Sequence, residues 1–171
     1  MNKSYESVKE FHKAFGHPVS EKPKRVDTSR GLARTIWTGE ELVEFLYEST
    51  GSSEEFLEVY SDFIAGLDKV RDKVLAKDKE LVNDVDVTVN QADALVDAMY
   101  FLLGTFVELG VKPEPLFNAV HQANMSKLFT LPDGTKEARY REDGKILKSP
   151  DFVAPEEEIK KEVEKQINGG E

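Results

Sequence analysis

Apolar residues recur at helical spacing along most of the chain, and turn-forming residues stand where that spacing breaks. Tyr5, Val8, Phe11 and Phe15 mark one stripe and predict a short amphipathic helix, ended by Gly16 and Pro18. An extended connector with Pro23 follows. Asp27 or Thr28 then caps a helix reaching about Ser49, and Thr38-Gly39-Glu40-Glu41 offers a competing start. Ser52-Ser53-Glu54-Glu55 has the form of a capping box for a helix to about Ala76, with Phe56, Leu57, Tyr60, Phe63, Ile64, Leu67, Val70 and Val74 in register. Residues 78–87 read as an acidic loop.

Gln91 to Leu109 differs from the other stretches, being apolar almost all the way round. Thr88 with Gln91 caps it, Gly110 closes it, and a helix of this kind belongs in a core. Pro113 and Pro115 open another helix to about Phe129, with Leu116, Phe117, Val120 and Ala123 facing inward. The tail changes character. Residues 137–148 fit a small hairpin turning at Asp143-Gly144, Glu156 to Ile167 a charged helix, and 168–171 a fraying end. Four or five helices with short connections make an all-α helical bundle over residues 1–130, with residues 131–171 as a C-terminal extension of hairpin plus terminal helix.

Composition narrows the class. A length of 171 residues suffices for a real core, and the absence of cysteine excludes disulfides, thiolate metal sites and catalytic cysteine. No apolar run approaches a membrane span, and the first residues lack the apolar centre of a signal peptide, so a soluble cytoplasmic protein is expected, with no membrane partner. The net charge of −10 is unevenly spread. Residues 1–36 carry 8 basic and 4 acidic side chains, 40–97 carry 5 and 16, and 124–149 carry 6 and 4. The acidic middle argues against a nucleic-acid partner. Acidic and basic zones together suit a metal-bridged phosphate.

The acids are arranged. Glu41, Glu44 and Glu48 fall at i, i+3 and i+7 along one helix row, where like charges repel unless a cation intervenes. Asp93 and Asp97 stand four apart on the apolar central helix, where carboxylates need neutralising. An all-oxygen set favours a hard cation, Mg²⁺ or Mn²⁺, shared between the two helices. A ferritin-like di-iron site would need Glu-x-x-His pairs, and Asn118 stands three before His121. No glycine-rich phosphate loop is present, so the metal would carry phosphate binding. Asn124 and Lys127, with Lys145 or Lys148 from the tail, are the candidates for phosphate or base. His12 and His17 read as packing or surface residues, Arg34 as a structural partner of the nearby acids, and Trp37, Tyr100 and Phe101 as core.

Glu41-Leu42-Val43-Glu44 on one helix, an acidic pair on a later apolar helix and Asn124-Met125-Ser126-Lys127 on the next resemble the all-α nucleotide pyrophosphohydrolases. This is the superfamily of MazG-like and phosphoribosyl-ATP pyrophosphohydrolase-like proteins. The stretches 8–18, 93–104 and 144–150 resemble one bacterial and phage branch of it. The resemblance implies a MazG-like bundle that cleaves nucleoside triphosphates between the α and β phosphates with Mg²⁺, giving monophosphate and pyrophosphate, in nucleotide-pool housecleaning. It carries metal-ligand roles to Glu41, Glu44 and Asp97. The family pattern places Glu at position 94; this chain has Ala94, and Asp93 stands one position earlier as the substitute. One glutamate, Glu41, Glu44 or Glu48, would orient or deprotonate the attacking water. A homodimer is expected, because helices this apolar need partners. The competing reading is a catalytically silent helical module that binds a nucleotide or a protein.

Overall fold

A computed structural model describes residues 2–77 and 83–169. Among the described residues there are six helices and one small sheet. The helices are α1 (Asn2–Ala14), α2 (Thr28–Glu48), α3 (Ser53–Leu75), α4 (Asp84–Leu109), α5 (Pro113–Met125) and α6 (Glu156–Ile167). Between α5 and α6, β1 (Phe129–Thr130) pairs antiparallel with β2 (Lys136–Glu137), Phe129 opposite Glu137. The architecture is all-α, as the periodicity predicts. The chain divides into two compact units, residues 23–93 and residues 1–22 with 94–171.

In the unit spanning 23–93, local chemistry fixes each helix end. The Asp27 carboxylate accepts from Arg30 N–H (2.9 Å) and starts α2. Thr38, the competing start, lies mid-helix, and its hydroxyl donates back to Arg34 O (3.0 Å). Ser49 ends α2, and four residues turn the chain into α3, which packs against α2. The Ser52 hydroxyl accepts from Glu55 N–H, while the Glu55 carboxylate accepts from Gly51 N–H (2.6 Å). This is a capping box with its return bond shifted by one residue. Helix α4 starts four residues before Thr88. Asn83 supplies the cap, its side-chain oxygen accepting from Val85 and Asp86 N–H. The expected loop over 78–87 is thus helical from Asp84, and 78–82 lie outside the described residues. Gln91 does not cap. Its amide takes Val26 N–H and gives to Val26 O, both at 2.9 Å, and ties the connector to α4.

The other unit holds the core. Phe15 (2% exposed), Ala123 and Leu128 are buried; Phe11 stacks on Phe15 at 4.3 Å, and α1 packs on α5. The Tyr140 hydroxyl donates to Phe15 O and anchors the hairpin to this core. That hairpin closes through the Tyr140–Ile146 bridge, with Gly144 at φ 80°, a left-handed turn position that a side chain would strain. The β1–β2 pair was not anticipated. Leu131-Pro132-Asp133-Gly134-Thr135 makes its turn, with the Asp133 carboxylate accepting from Thr135 N–H and Oγ1. Helix α5 ends at Met125 rather than near Phe129, and α6 has the expected bounds. The end of the chain is described to Gly169; Gly170 and Glu171 lie outside the described residues.

One expectation is reversed. The apolar stretch 91–109 is exposed among the described residues: Phe101 is 75% and Val107 80% exposed, and Leu95, Val96 and Tyr100 are exposed with them. Helices α2 and α3 likewise bury no residue completely. Two helices in a hairpin cover one stripe each and leave their other apolar positions open. No single described helix is long and apolar enough to cross a membrane.

Candidate functional site

The sequence candidates fall into three places. Glu41, Glu44 and Glu48 stand exposed on α2 in the unit 23–93. The first turns of α3 meet the same part of α2: Tyr47 and Phe56 pack edge-to-face at 5.2 Å, and Phe56 contacts Tyr60 at 5.6 Å. Between them opens a cleft of about 350 Å³ lined by Val43, Glu44, Tyr47, Glu48 and Phe56. Two carboxylates of the acidic row thus rim an apolar, aromatic hollow. Among the described residues no lysine or arginine forms an ion pair with Glu41, Glu44 or Glu48. Arg34 was expected to do so. Its guanidinium instead lies 5.7 Å from the Trp37 ring, with Arg30 at 5.1 Å, so cation–π attraction uses both arginines. Trp37 itself is partly exposed beneath them and is not a core residue, nor are Tyr100 and Phe101.

Asp93 and Asp97 are exposed on α4, one turn apart. Ala94 leaves no carboxylate between them. The donor type of α2 and α4, oxygen only, fits a hard divalent cation. Among the described residues, however, no three of the aspartates, glutamates and histidines come together to hold one. A single helix row offers an ion at most two close carboxylates, so the rest of a ligand set has to come from another helix.

The structure does bring phosphate-binding candidates together, at the end of α5. Lys127 Nζ donates to Asn124 Oδ1 at 2.6 Å, one turn back. Lys148 arrives from the tail, and its ammonium lies 4.3 Å from the centre of the Phe152 ring; that of Lys127 lies 6.0 Å from the same ring. Burial, and secondarily the charge of Lys148, lower the pKa of Lys127 below the usual lysine value. Neither lysine pairs with a carboxylate among the described residues. Lys145 stays exposed at the hairpin turn, where its backbone N–H donates to Asp143 (3.1 Å).

Sequence reasoning missed Ser126, Ser149 and Phe152, which shape this cluster. Ser149 is 5% exposed, its hydroxyl donating to Ser126 O (2.8 Å). No periodic signal marks such residues, because they act across a loop. His12 and His17 pack as read: His12 Nδ1 lies 2.9 Å from Pro18 O and the His17 ring stacks on Phe11 at 5.7 Å, while His121 is largely covered, 3.5 Å from Glu10.

Comparison with known proteins places the chain in a family. A sequence profile described as phosphoribosyl-ATP pyrophosphohydrolase matches residues 8–124. A crystal structure from Exiguobacterium sp. 255-15, described as a candidate NTP pyrophosphohydrolase, superposes with a TM-score of 0.89 at 43% identity, covering 97% of this chain and 96% of that one. No curated protein matches. The profile covers the helices that carry Glu41, Glu44, Asp93, Asp97 and Asn124, and the chain belongs to the phosphoribosyl-ATP pyrophosphohydrolase family and is a pyrophosphohydrolase.

Proposed function

We propose that the protein hydrolyses a nucleoside triphosphate between its α and β phosphates, in a Mg²⁺-dependent reaction serving nucleotide-pool housecleaning. The observation that carries the reading is the row Glu41, Glu44 and Glu48 on α2, without a basic partner among the described residues, two of whose carboxylates, those of Glu44 and Glu48, rim a cleft. Three like charges in one row are costly, and a cation removes that cost. The ligands assigned are Glu41 and Glu44 on α2 with Asp93 and Asp97 on α4; Mn²⁺ has the same preference for oxygen. When bound, such an ion neutralises phosphate charge and lowers the pKa of bound water.

The remaining work falls to side chains of this chain. Glu41 or Glu44 accepts the proton of the attacking water, whose oxygen bonds to the α phosphorus. The α–β bridging bond breaks, and its electron pair leaves on pyrophosphate. Asn124, Lys127 and Lys148 hold the polyphosphate, while Lys145 stays apart at the hairpin turn. Lysine suits this role as a point charge with several donors.

The working form is a homodimer in the cytoplasm. The exposed apolar positions of α2, α3 and α4 are the surface a second copy would cover, and its helices are the source of further ligands.

A nucleotide panel with Mg²⁺, scored for pyrophosphate against orthophosphate, tests the reading beside Glu44→Gln and Asp97→Asn. Pyrophosphate release that falls at least about a hundredfold in both variants supports it. Nucleotide that raises the melting temperature without being cleaved would overturn the proposed reaction. The same panel, with phosphoribosyl-ATP included, separates general triphosphate hydrolysis from the reaction that names the family.

A further inference from the structure

The end of α5 and the tail are fastened together by two hydroxyls. Ser149 Oγ donates to Ser126 O (2.8 Å) and accepts from Asp151 N–H (3.1 Å). Ser126 Oγ donates to Ala123 O (2.8 Å) and accepts from Val153 N–H (3.0 Å). A hydroxyl as deeply covered as that of Ser149, with donor and acceptor both used, fixes one backbone path for its segment. Lys148 precedes Ser149 on that path and Phe152 follows three residues later.

The result is two ammonium groups sharing one aromatic ring, at 4.3 and 6.0 Å from its centre. The ring attracts each cation, but it does nothing to relieve their mutual repulsion. A carboxylate would relieve it, and none pairs with either lysine among the described residues. Asn124 Oδ1 accepts a hydrogen bond from one N–H of Lys127 and leaves its other donors for a ligand. Desolvation and the neighbouring charge both lower the pKa of Lys127, as expected for a cation awaiting an anion.

We propose that the Ser126–Ser149 clasp is a positioning device for polyphosphate: it holds Lys148 beside Lys127, so that the pair takes the outer phosphates of the substrate and the pyrophosphate left after cleavage. The two serines touch no substrate and act through Lys148. Lys145, at the hairpin turn, has no part in it. The substrate class rests on the function proposed above; the clasp itself rests on the contacts just described.

The test is calorimetric titration of inorganic pyrophosphate into the full-length chain in EDTA, so that no divalent cation contributes. Lys148→Met should weaken binding about tenfold or more, and Ser149→Ala or Ser126→Ala about three- to tenfold. The deciding measurement is the double variant: once Lys148 is gone, Ser149→Ala should change binding by less than about twofold. An equal loss in both backgrounds would make Ser149 merely structural and overturn the proposal. So would unaltered binding in Lys148→Met, or no binding by the wild type at millimolar pyrophosphate. The two readings fail separately. Pyrophosphate binding that follows this pattern without any nucleotide cleavage removes the enzyme and leaves the clasp. Cleavage whose KM and pyrophosphate inhibition are unchanged in Lys148→Met removes the clasp and leaves the enzyme.

Discussion

Dilution is the perturbation that bears most directly on the uncovered faces of α2 and α3. Leu32, Leu57 (65% exposed), Val70 and Leu75 keep more than half of their surface open, and Ile36, Phe45 and Leu67 keep about as much. Summed over the large apolar side chains of this hairpin, each copy leaves on the order of 1,000 Å² uncovered, against about 800 Å² per partner in an interface of ordinary size. If a second copy covers this surface, folding and pairing are coupled and stability depends on concentration. A hundredfold dilution then removes about 2.7 kcal/mol per dimer. Two copies of 171 residues, at about 2.1 cal/mol/K each residue, unfold with an entropy near 0.7 kcal/mol/K, so the melting temperature falls by about 4 °C. Scanning calorimetry between roughly 1 and 100 μM measures this, with sedimentation equilibrium for the mass. A melting temperature constant within about 1 °C, with a mass of 19.3 kDa throughout, would refute the reasoning.

Three further outcomes are expected. Because burial and Lys148 lower the Lys127 pKa, Lys127 loses its proton at a lower pH than a free lysine does. Pyrophosphate affinity should therefore fall as pH rises through that lowered value, while the stability of the free protein rises over the same window because the unfolded chain there holds more protons; calorimetric titrations and melting curves across the alkaline range check both signs. Asp27→Ala removes the carboxylate that accepts from Arg30 N–H at the start of α2, and should cost about 1 kcal/mol in chemical denaturation. Gln91→Ala leaves Val26 N–H and O without their partner, and should cost about 1–2 kcal/mol and speed hydrogen exchange at Val26.

The helices were legible in the sequence because their ends are set by neighbours within a few residues. Asp27, Ser52 and Gly110 each act within one turn, and α6 has its expected bounds. The start of α4 was misplaced because Asn83, a cap in its own right, stands inside a run of acids that reads as loop. The apolar belt of α4 was read as core because periodicity records which residues avoid water, and says nothing of which chain covers them. Asn124 and Lys127 could be found from one-turn spacing. That Lys148 rather than Lys145 lies beside Lys127 could not, since it depends on a hydrogen bond from residue 149 to residue 126.

Helix α5 begins without a side-chain cap of its own, and α6 supplies the missing partner. The Gln166 amide accepts from Lys112 N–H (2.8 Å) and donates to Lys112 O (3.2 Å), standing in for a length of peptide backbone. At the other end of α5, Ser149 holds Ser126. Residues 149–166 thus work as a splint, bound to the start of α5 at Lys112 and to its far end at Ser126, within the Asn124–Lys127 turn. Deleting it would release both ends of the helix that presents those two side chains, and a tag or fusion placed after Asn168 keeps the splint whole.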